Sequence, residues 1–404
     1  MTTASLVCQT AHGTHRQTLY FNTQRHFLTV SVDLHTTLSF DREGRLIGVF
    51  LDGANYRRGL CGDILMKRAS TRGGKLRRML PPEERRRLLA LVRRRLMIIR
   101  ECAYNTTSVD IRAWLDRILT WDVERLEAER AAFFSIYKPI SILPPDQYLS
   151  LVLQAAEGCS WNRCTFCTLY RDRKFRIKSC AEFRHHIQQV KDFVGSGINM
   201  RKSIFLGDAN ALIIPQSRLR ELIAIVHDEF VFGSPNGMKG IYAFIDIFGA
   251  ERKTFDDYRE MHDAQVKRVY LGLESGDEEV FRCLNKPGSP AACIEAVHMI
   301  KSAGINVGII LLAGAGGARL ASAHVTHSLD ALAAMKLNAG DLVYVSPLIV
   351  SSDSPYMQSL RDFQSEPLQG AAIQQQLEHL KSGAKAVCGN GVKVALYHLE
   401  EFVY

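Results

Sequence analysis

Residues 157–170, EGCSWNRCTFCTLY, carry three of the chain's ten cysteines, Cys159, Cys164 and Cys167, spaced by four residues and then by two. The other seven, Cys8, Cys61, Cys102, Cys180, Cys283, Cys293 and Cys388, are scattered singly. The stretch directly follows residues 149–155, an apolar run of strand length. Three thiolates can hold three corners of a four-iron cluster and leave the fourth iron open to bind and activate a small molecule. A structural zinc site needs four ligands, usually two pairs. Here a fourth would have to come from Cys180, His185 or His186. An electron carrier would also ligate its cluster fully, so three grouped thiols favour catalysis over carriage.

Beyond the cysteines the chain alternates strand, loop and helix. Strands are expected near residues 149–155, 203–206, 241–245, 268–273, 307–312 and 342–345. Helices fall between them in AEFRHHIQQVKDFV, RLRELIAIVHDEF, TFDDYREMHD and CIEAVHMIKSAG. Such alternation implies a parallel sheet with right-handed crossovers. The fold class is α/β. Six units can form an open doubly wound sheet or a partial (β/α)6 barrel of the TIM type, and in both the loops after the strand ends build the site. The tail adds a helix over 371–382 and a strand over 392–397.

Towards the N-terminus the pattern differs. HFLTVSVDL and RLIGVFLDG read as a β-hairpin, with a turn around residues 41–44. Residues 67–100 hold thirteen Lys or Arg against Glu83 and Glu84, so the net charge of +9 is concentrated there and the remainder is slightly acidic. Pro82 with Glu83 and Glu84 starts a helix whose buried face would hold Leu88, Leu91, Leu96 and Ile99. A second helix is expected over 109–137. KPISILPPDQY then marks a boundary. The expected domains are 1–145, a β-hairpin plus a basic helical region; 146–350, the α/β core; and 351–404, a short helix–strand extension. No apolar run approaches the roughly 20 residues of a membrane span, and a cytoplasmic location is expected.

The cysteine triplet on the loop after the first strand of a parallel α/β region resembles the radical S-adenosylmethionine (SAM) superfamily. The likeness covers about residues 148–350. The first gap is one residue longer than the family's commonest spacing, and the aromatic residue before the third cysteine is here Phe166. SIFLGDANAL ends in Gly207, Asp208 and Asn210, where the family contacts the amino group of methionine. VYLGLESGDEEVFRCLNKPG is similar to the Gly-x-Glu/Gln-Ser…Leu…Asn-Lys/Arg pattern of oxygen-independent coproporphyrinogen oxidases and tRNA methylthiotransferases. That similarity places Glu274 and Ser275 at the ribose. NVGIILLAGAGG resembles the glycine-bearing strand of the adenine pocket and nominates Gly308, Ile310 and Gly314.

The resemblance implies a 4Fe–4S cluster, SAM as cofactor, and a 5′-deoxyadenosyl radical that takes hydrogen from a substrate. It also implies an external electron donor such as flavodoxin or ferredoxin. Asp246 follows the third strand and should face the same mouth, as should Tyr344, Ser346 and His324; Lys174 and Arg176 follow the cysteine loop. A small-molecule substrate is expected. RNA bound through the basic segment 67–100 is the alternative, although that segment lacks aromatic residues for base stacking.

Overall fold

The computed structural model describes residues 2–9, 16–70, 75–104 and 107–404. They form two compact units: residues 1–141 with 188–201 and 400–404, and residues 142–187 with 202–399.

The first unit is built on an eight-stranded antiparallel sheet whose strands follow in chain order. These are β1 (Thr2–Gln9), β2 (Arg16–Thr23), β3 (Phe27–Val32), β4 (Thr36–Asp41), β5 (Leu46–Leu51), β6 (Ala54–Arg58), β7 (Ile64–Ala69) and β8 (Lys75–Met79). Period-2 alternation buries one face, with Leu19, Phe21, Leu28, Val30, Leu38 and Phe40 turned inward. That face packs on α1 (Pro82–Ala103), α2 (Val109–Leu119) and α3 (Val123–Ile136) through Leu88, Val92, Leu96, Ile111 and Leu115. The hairpin expected from sequence is therefore two strands of a longer meander. Part of the expected basic helical region is strand: Lys67 and Arg77, on β7 and β8, both pair with Glu401. Arg72 of that segment lies outside the described residues. The single helix expected over 109–137 is two, because Asp122 caps a new start by accepting from the Arg125 backbone N–H (2.8 Å). Cys8 and Cys102, isolated in sequence, are joined as a disulfide with their Cα atoms 5.7 Å apart.

The second unit holds seven parallel strands. β9 (Ser150–Gln154) leads into the cysteine loop, whose base is closed by the short antiparallel pair β10 (Ala156–Glu157) and β11 (Arg176–Ile177). After α4 (Cys180–Val194) come β12 (Ser203–Gly207), α5 (Gln216–Glu229), β13 (Ile241–Phe244), α6 (Ile247–Ala250), α7 (Phe255–Asp263) and β14 (Val266–Glu274). Then follow α8 (Glu278–Cys283), α9 (Pro290–Ser302), β15 (Asn306–Ala313), α10 (Ala321–Ala334), β16 (Leu342–Pro347), α11 (Pro355–Asp362), α12 (Gly370–Cys388) and β17 (Lys393–Leu396). The sheet order is β9-β12-β13-β14-β15-β16-β17, without reversal. A doubly wound sheet reverses its order at a switch point; unbroken sequential order is that of a partial barrel. The helix–strand tail supplies the seventh strand, β17, parallel to β16. β9 and β12 are buried along their whole lengths, as strands covered on both faces must be.

Aromatic rings fill the barrel. Phe205 and Phe244 meet edge to face at 5.2 Å, and Tyr270 lies 5.9 Å from Phe244. Below them Asp146 accepts from the hydroxyls of Tyr270 (2.6 Å) and Tyr344 (2.8 Å) and from Arg268 (2.8 Å). Gly308 belongs to this packing: a Cβ there would sit 2.4 Å from the Tyr270 ring. No helix among the described residues is long and apolar enough to cross a membrane.

Candidate functional site

The cysteine loop is held by backbone carbonyls that a single side chain gathers. Arg171 donates to the carbonyls of Cys164 (2.8 Å), Cys167 (3.2 Å) and Asn162. Across the loop, Trp161 Nε1 donates to the Asn285 carbonyl (2.9 Å), and Asn285 Nδ2 returns a bond to the Arg163 carbonyl (2.9 Å). Thr165 is anchored on the end of α8 through the carbonyls of Leu284 and Cys283. The loop is thus tied to the segment after β14, over a hundred residues away.

All three cysteines line one open-mouthed cavity at the C-terminal ends of the strands, about 1230 Å³ with its mouth included. Phe166, Asn210, Asp246, Glu274 and Ile310, nominated from sequence, line it too. Asn210 and Asp246 form a reciprocal pair. Asn210 Nδ2 donates to Asp246 Oδ2 and to Ser160 Oγ (2.9 Å), while the Asp246 backbone N–H donates to Asn210 Oδ1 (3.0 Å). The other Asp246 oxygen caps α6. Burial raises the Asp246 carboxyl pKa, opposed by the Gly249 N–H and by Lys286.

Glu274 reaches the cavity because β14 departs from regular pairing there. The register with β15 shifts between Gly272 and Glu274, and Glu274 adopts φ +61°. A bulge of this kind re-aims a side chain, and a left-handed non-glycine residue stores local strain of the sort found at functional sites. Gly272 leaves the room: its Cβ would fall 2.1 Å from a Glu274 carboxylate oxygen. Glu274 is only 8% exposed and pairs with Lys286 at 3.4 Å. Burial pushes its pKa up, and the Lys286 ammonium opposes that. Lys286 was quoted in sequence only as part of the Asn-Lys/Arg pattern; its place on the cavity wall emerges from the turn after α8.

The remaining nominees, Ser346 excepted, lie off the cavity. Asp208 is turned to the base of the cysteine loop, accepting from the Gly158 N–H (3.0 Å) and pairing with Arg173 (3.4 Å), and burial raises its carboxyl to about 6. Gly207 ends β12, facing Val152. Ser275 is fully buried and bonded to His324 Nδ1 (2.8 Å), so both are core. Gly308 packs on Tyr270. Gly314 sits in a turn at φ +96°, donating to Gln376 and accepting from the Tyr356 hydroxyl. Tyr344 faces Asp146, whereas Ser346 does line the cavity. Lys174 is exposed, and Arg176 is occupied by Glu157 and Glu182. The missed cavity residues include Trp161, Tyr270, Tyr397 and Leu399, apolar or aromatic side chains with no signature of their own.

The thiols suit a cluster better than one metal ion. Among the described residues, no three of His, Cys, Asp or Glu converge as a single ion requires. Of the suggested fourth zinc ligands, Cys180 lies against Arg218 and Glu221, and His186 Nε2 accepts from the Gln154 backbone. A cubane instead takes one thiolate on each of three separate irons. Burial pushes Cys164 up to about 12, with Lys286 the foremost opposing charge; metal ligation would supply the positive charge that a buried thiolate needs.

Residues 153–317 match the family model of the radical SAM superfamily. The chain is 23% identical over 190 residues to 4′-phospho-dehydrooxetanocin synthase of Priestia megaterium, a match covering 40% of this chain and 23% of that protein. It therefore spans under a quarter of that curated relative's length. Among solved structures it is similar to methylornithine synthase, with a TM-score of 0.39 and 15% identity over 61% of this chain and 70% of that one. It is also similar to coproporphyrinogen III oxidase of Escherichia coli, with a TM-score of 0.42 and 14% identity over 63% of this chain and 55% of that one. The family match runs from the end of β9 to the turn after β15 and identifies that stretch as a radical SAM domain, of the kind that works with a 4Fe–4S cluster and S-adenosylmethionine.

Proposed function

We propose that the protein reductively cleaves SAM at a cluster held by Cys159, Cys164 and Cys167 and uses the resulting radical to take hydrogen from a small molecule in the same cavity. One observation carries this reading: the three cysteines and a set of buried polar side chains share a single cavity at the strand ends.

When bound, the cluster and SAM supply an electron and a primary carbon radical. The chain's residues bind, orient and exclude water. The cysteines are the thiolate ligands, and Arg171 fixes the loop that presents them. Lys286, the only lysine or arginine lining the cavity among the described residues, offsets thiolate charge and is placed to meet a carboxylate. Asn210, Asp246 and Glu274 offer acceptors for an amino group and for ribose hydroxyls, and Phe166 and Ile310 offer flat apolar contact for a base. Gly207, Asp208, Ser275, Gly308 and Gly314 act behind this wall. The electron comes from an external donor of the flavodoxin or ferredoxin kind, and the enzyme is cytoplasmic.

The small-molecule reading is also supported by how the basic segment is used. Lys67, Arg77, Arg78, Arg85 and Arg100 each hold a carboxylate of their own unit, which leaves less charge for a phosphate backbone. The deciding test is anaerobic reconstitution: about four irons per chain, and 5′-deoxyadenosine formed from SAM after reduction. Stoichiometric zinc without cleavage would overturn the proposal.

A further inference from the structure

The cavity wall is divided by chemistry. Its charged lining residues are Asp246, Glu274 and Lys286, which stand on the turn after β13, at the end of β14 and on the turn after α8. Lys286 acts electrostatically on Asp246, Glu274 and Cys164 alike, so this side is one charged neighbourhood beside the cysteines. The side contributed by β15, β16, β17 and their following turns carries no charged residue at all.

That second side is apolar in detail as well. Pro347, Leu348, Ile349 and Leu399 form it, with Ile142 from the segment before β9. Ile349 is 51% exposed at this wall, an apolar surface left open to the cavity mouth. The tyrosines beneath do not turn their hydroxyls into the space. Tyr397 donates to the Leu143 carbonyl (2.7 Å) and Tyr270 to Asp146 (2.6 Å), so each presents ring rather than oxygen. Ser346 is the one polar side chain on this wall. Its Oγ approaches the Pro347 carbonyl at a long 3.4 Å, which leaves the hydroxyl able to serve a ligand.

We infer that the substrate is an uncharged, largely apolar small molecule, seated on Ile142, Pro347, Leu348, Ile349, Tyr397 and Leu399, with one hydroxyl or carbonyl directed at Ser346. This rests on the reading that the cysteine side holds the cluster and SAM. The physical reason is desolvation. A carboxylate or phosphate brought against this wall would lose water and find no cation, whereas apolar surface gains by burial.

The test uses a pair of probes with one skeleton, 2-naphthalenemethanol and 2-naphthoate, and equilibrium dialysis against the reconstituted enzyme with SAM and against the untreated chain. The alcohol should bind at least about 100-fold more tightly than the anion, as expected when a charge is buried without a partner. In Leu399→Lys, a substitution at a partly buried position, the preference should reverse towards 2-naphthoate; Ile349→Lys provides an independent second placement of the charge. Equal or tighter binding of the anion to the wild-type chain would overturn the inference, as would displacement of the alcohol by an RNA oligonucleotide. Iron content and uncoupled SAM cleavage are measured on the wild-type sample in parallel. A protein that cleaves SAM but prefers the anion removes only this inference. One that prefers the alcohol but holds no cluster removes only the earlier proposal.

Discussion

Buried charge is handled differently in the two units. In the N-terminal unit Glu129 lies between Arg45 (2.8 Å) and Arg58 (2.8 Å), all three buried, and Arg85 is shared by Glu127 and Asp63. These groups are matched to one another. In the barrel unit two buried sets stand at strand ends on the cavity: Glu274 with Lys286, and Asp246 with Asn210. Lys253 there has no carboxylate partner and donates to the Ile214 carbonyl (2.7 Å) and to Gln216 Oε1 (3.0 Å). Closed sets of charges hold a fold together, while open sets around a cavity remain available for ligands. A positive net charge says little about function until the partners of each cation are known.

The largest effect expected is at the open set. Cys164→Ala should lose the reconstituted cluster and reduce 5′-deoxyadenosine formation to background. Full iron retention in that variant would contradict the ligand assignment. The closed set should respond in stability alone. Glu129→Ala removes the carboxylate that two buried guanidinium groups share, and breaking a buried pair in this way costs about 3–5 kcal/mol. Urea unfolding should show that loss, and an unchanged midpoint would break the contrast drawn between the units.

A third prediction follows from Lys253, whose pKa burial lowers to about 8. Between about 8 and its ordinary value near 10.5, the unfolded chain binds the proton that the folded chain has released. Stability contributed by this group therefore rises with pH across that window, by at most about 3 kcal/mol. Comparing wild type with Lys253→Met by denaturant unfolding from pH 7 to 10.5 isolates the slope; parallel curves would show that Lys253 is not held charged at a cost. The smallest effect is at the barrel floor. Gly308→Ala drives a methyl into the Tyr270 ring and should cost about 1–3 kcal/mol, as overpacking does, with iron content unchanged.

Much of the barrel was legible before any coordinates. The strands β9, β12, β13, β14, β15 and β16 lie within a few residues of where apolar runs placed them, since a strand buried on both faces must be apolar throughout. The N-terminal sheet was less legible. Its strands are short, half of each is polar, and β7 and β8 carry the arginines and lysines that suggested a helix. The break between α2 and α3 rests on one capping aspartate within an otherwise continuous helical pattern.

The cavity shows the same division at finer scale. Cys159, Cys164, Cys167, Phe166, Asn210, Asp246, Glu274 and Ile310 were nominated from motifs, and they meet at one cavity. Asp208, Ser275, Gly308 and Gly314 come from the same motifs but point elsewhere. Adjacent residues on a strand face opposite ways, and a bulge or a left-handed turn decides which one faces the ligand. The shift after Gly272 turns Glu274 into the cavity, and Ser275 remains bonded to His324 in the core.

By itself the sequence determined the α/β scaffold and nominated its chemistry, because cysteine spacing and the alternation of strand and helix are local patterns that place a cysteine loop on a parallel sheet. Only the tertiary structure decided which charges are spent on packing and which border the cavity. It also decided that the wall opposite the charged side is apolar. Those outcomes depend on residues such as Ile142, Lys286 and Leu399, which are far apart in the chain and become neighbours only when the strands align.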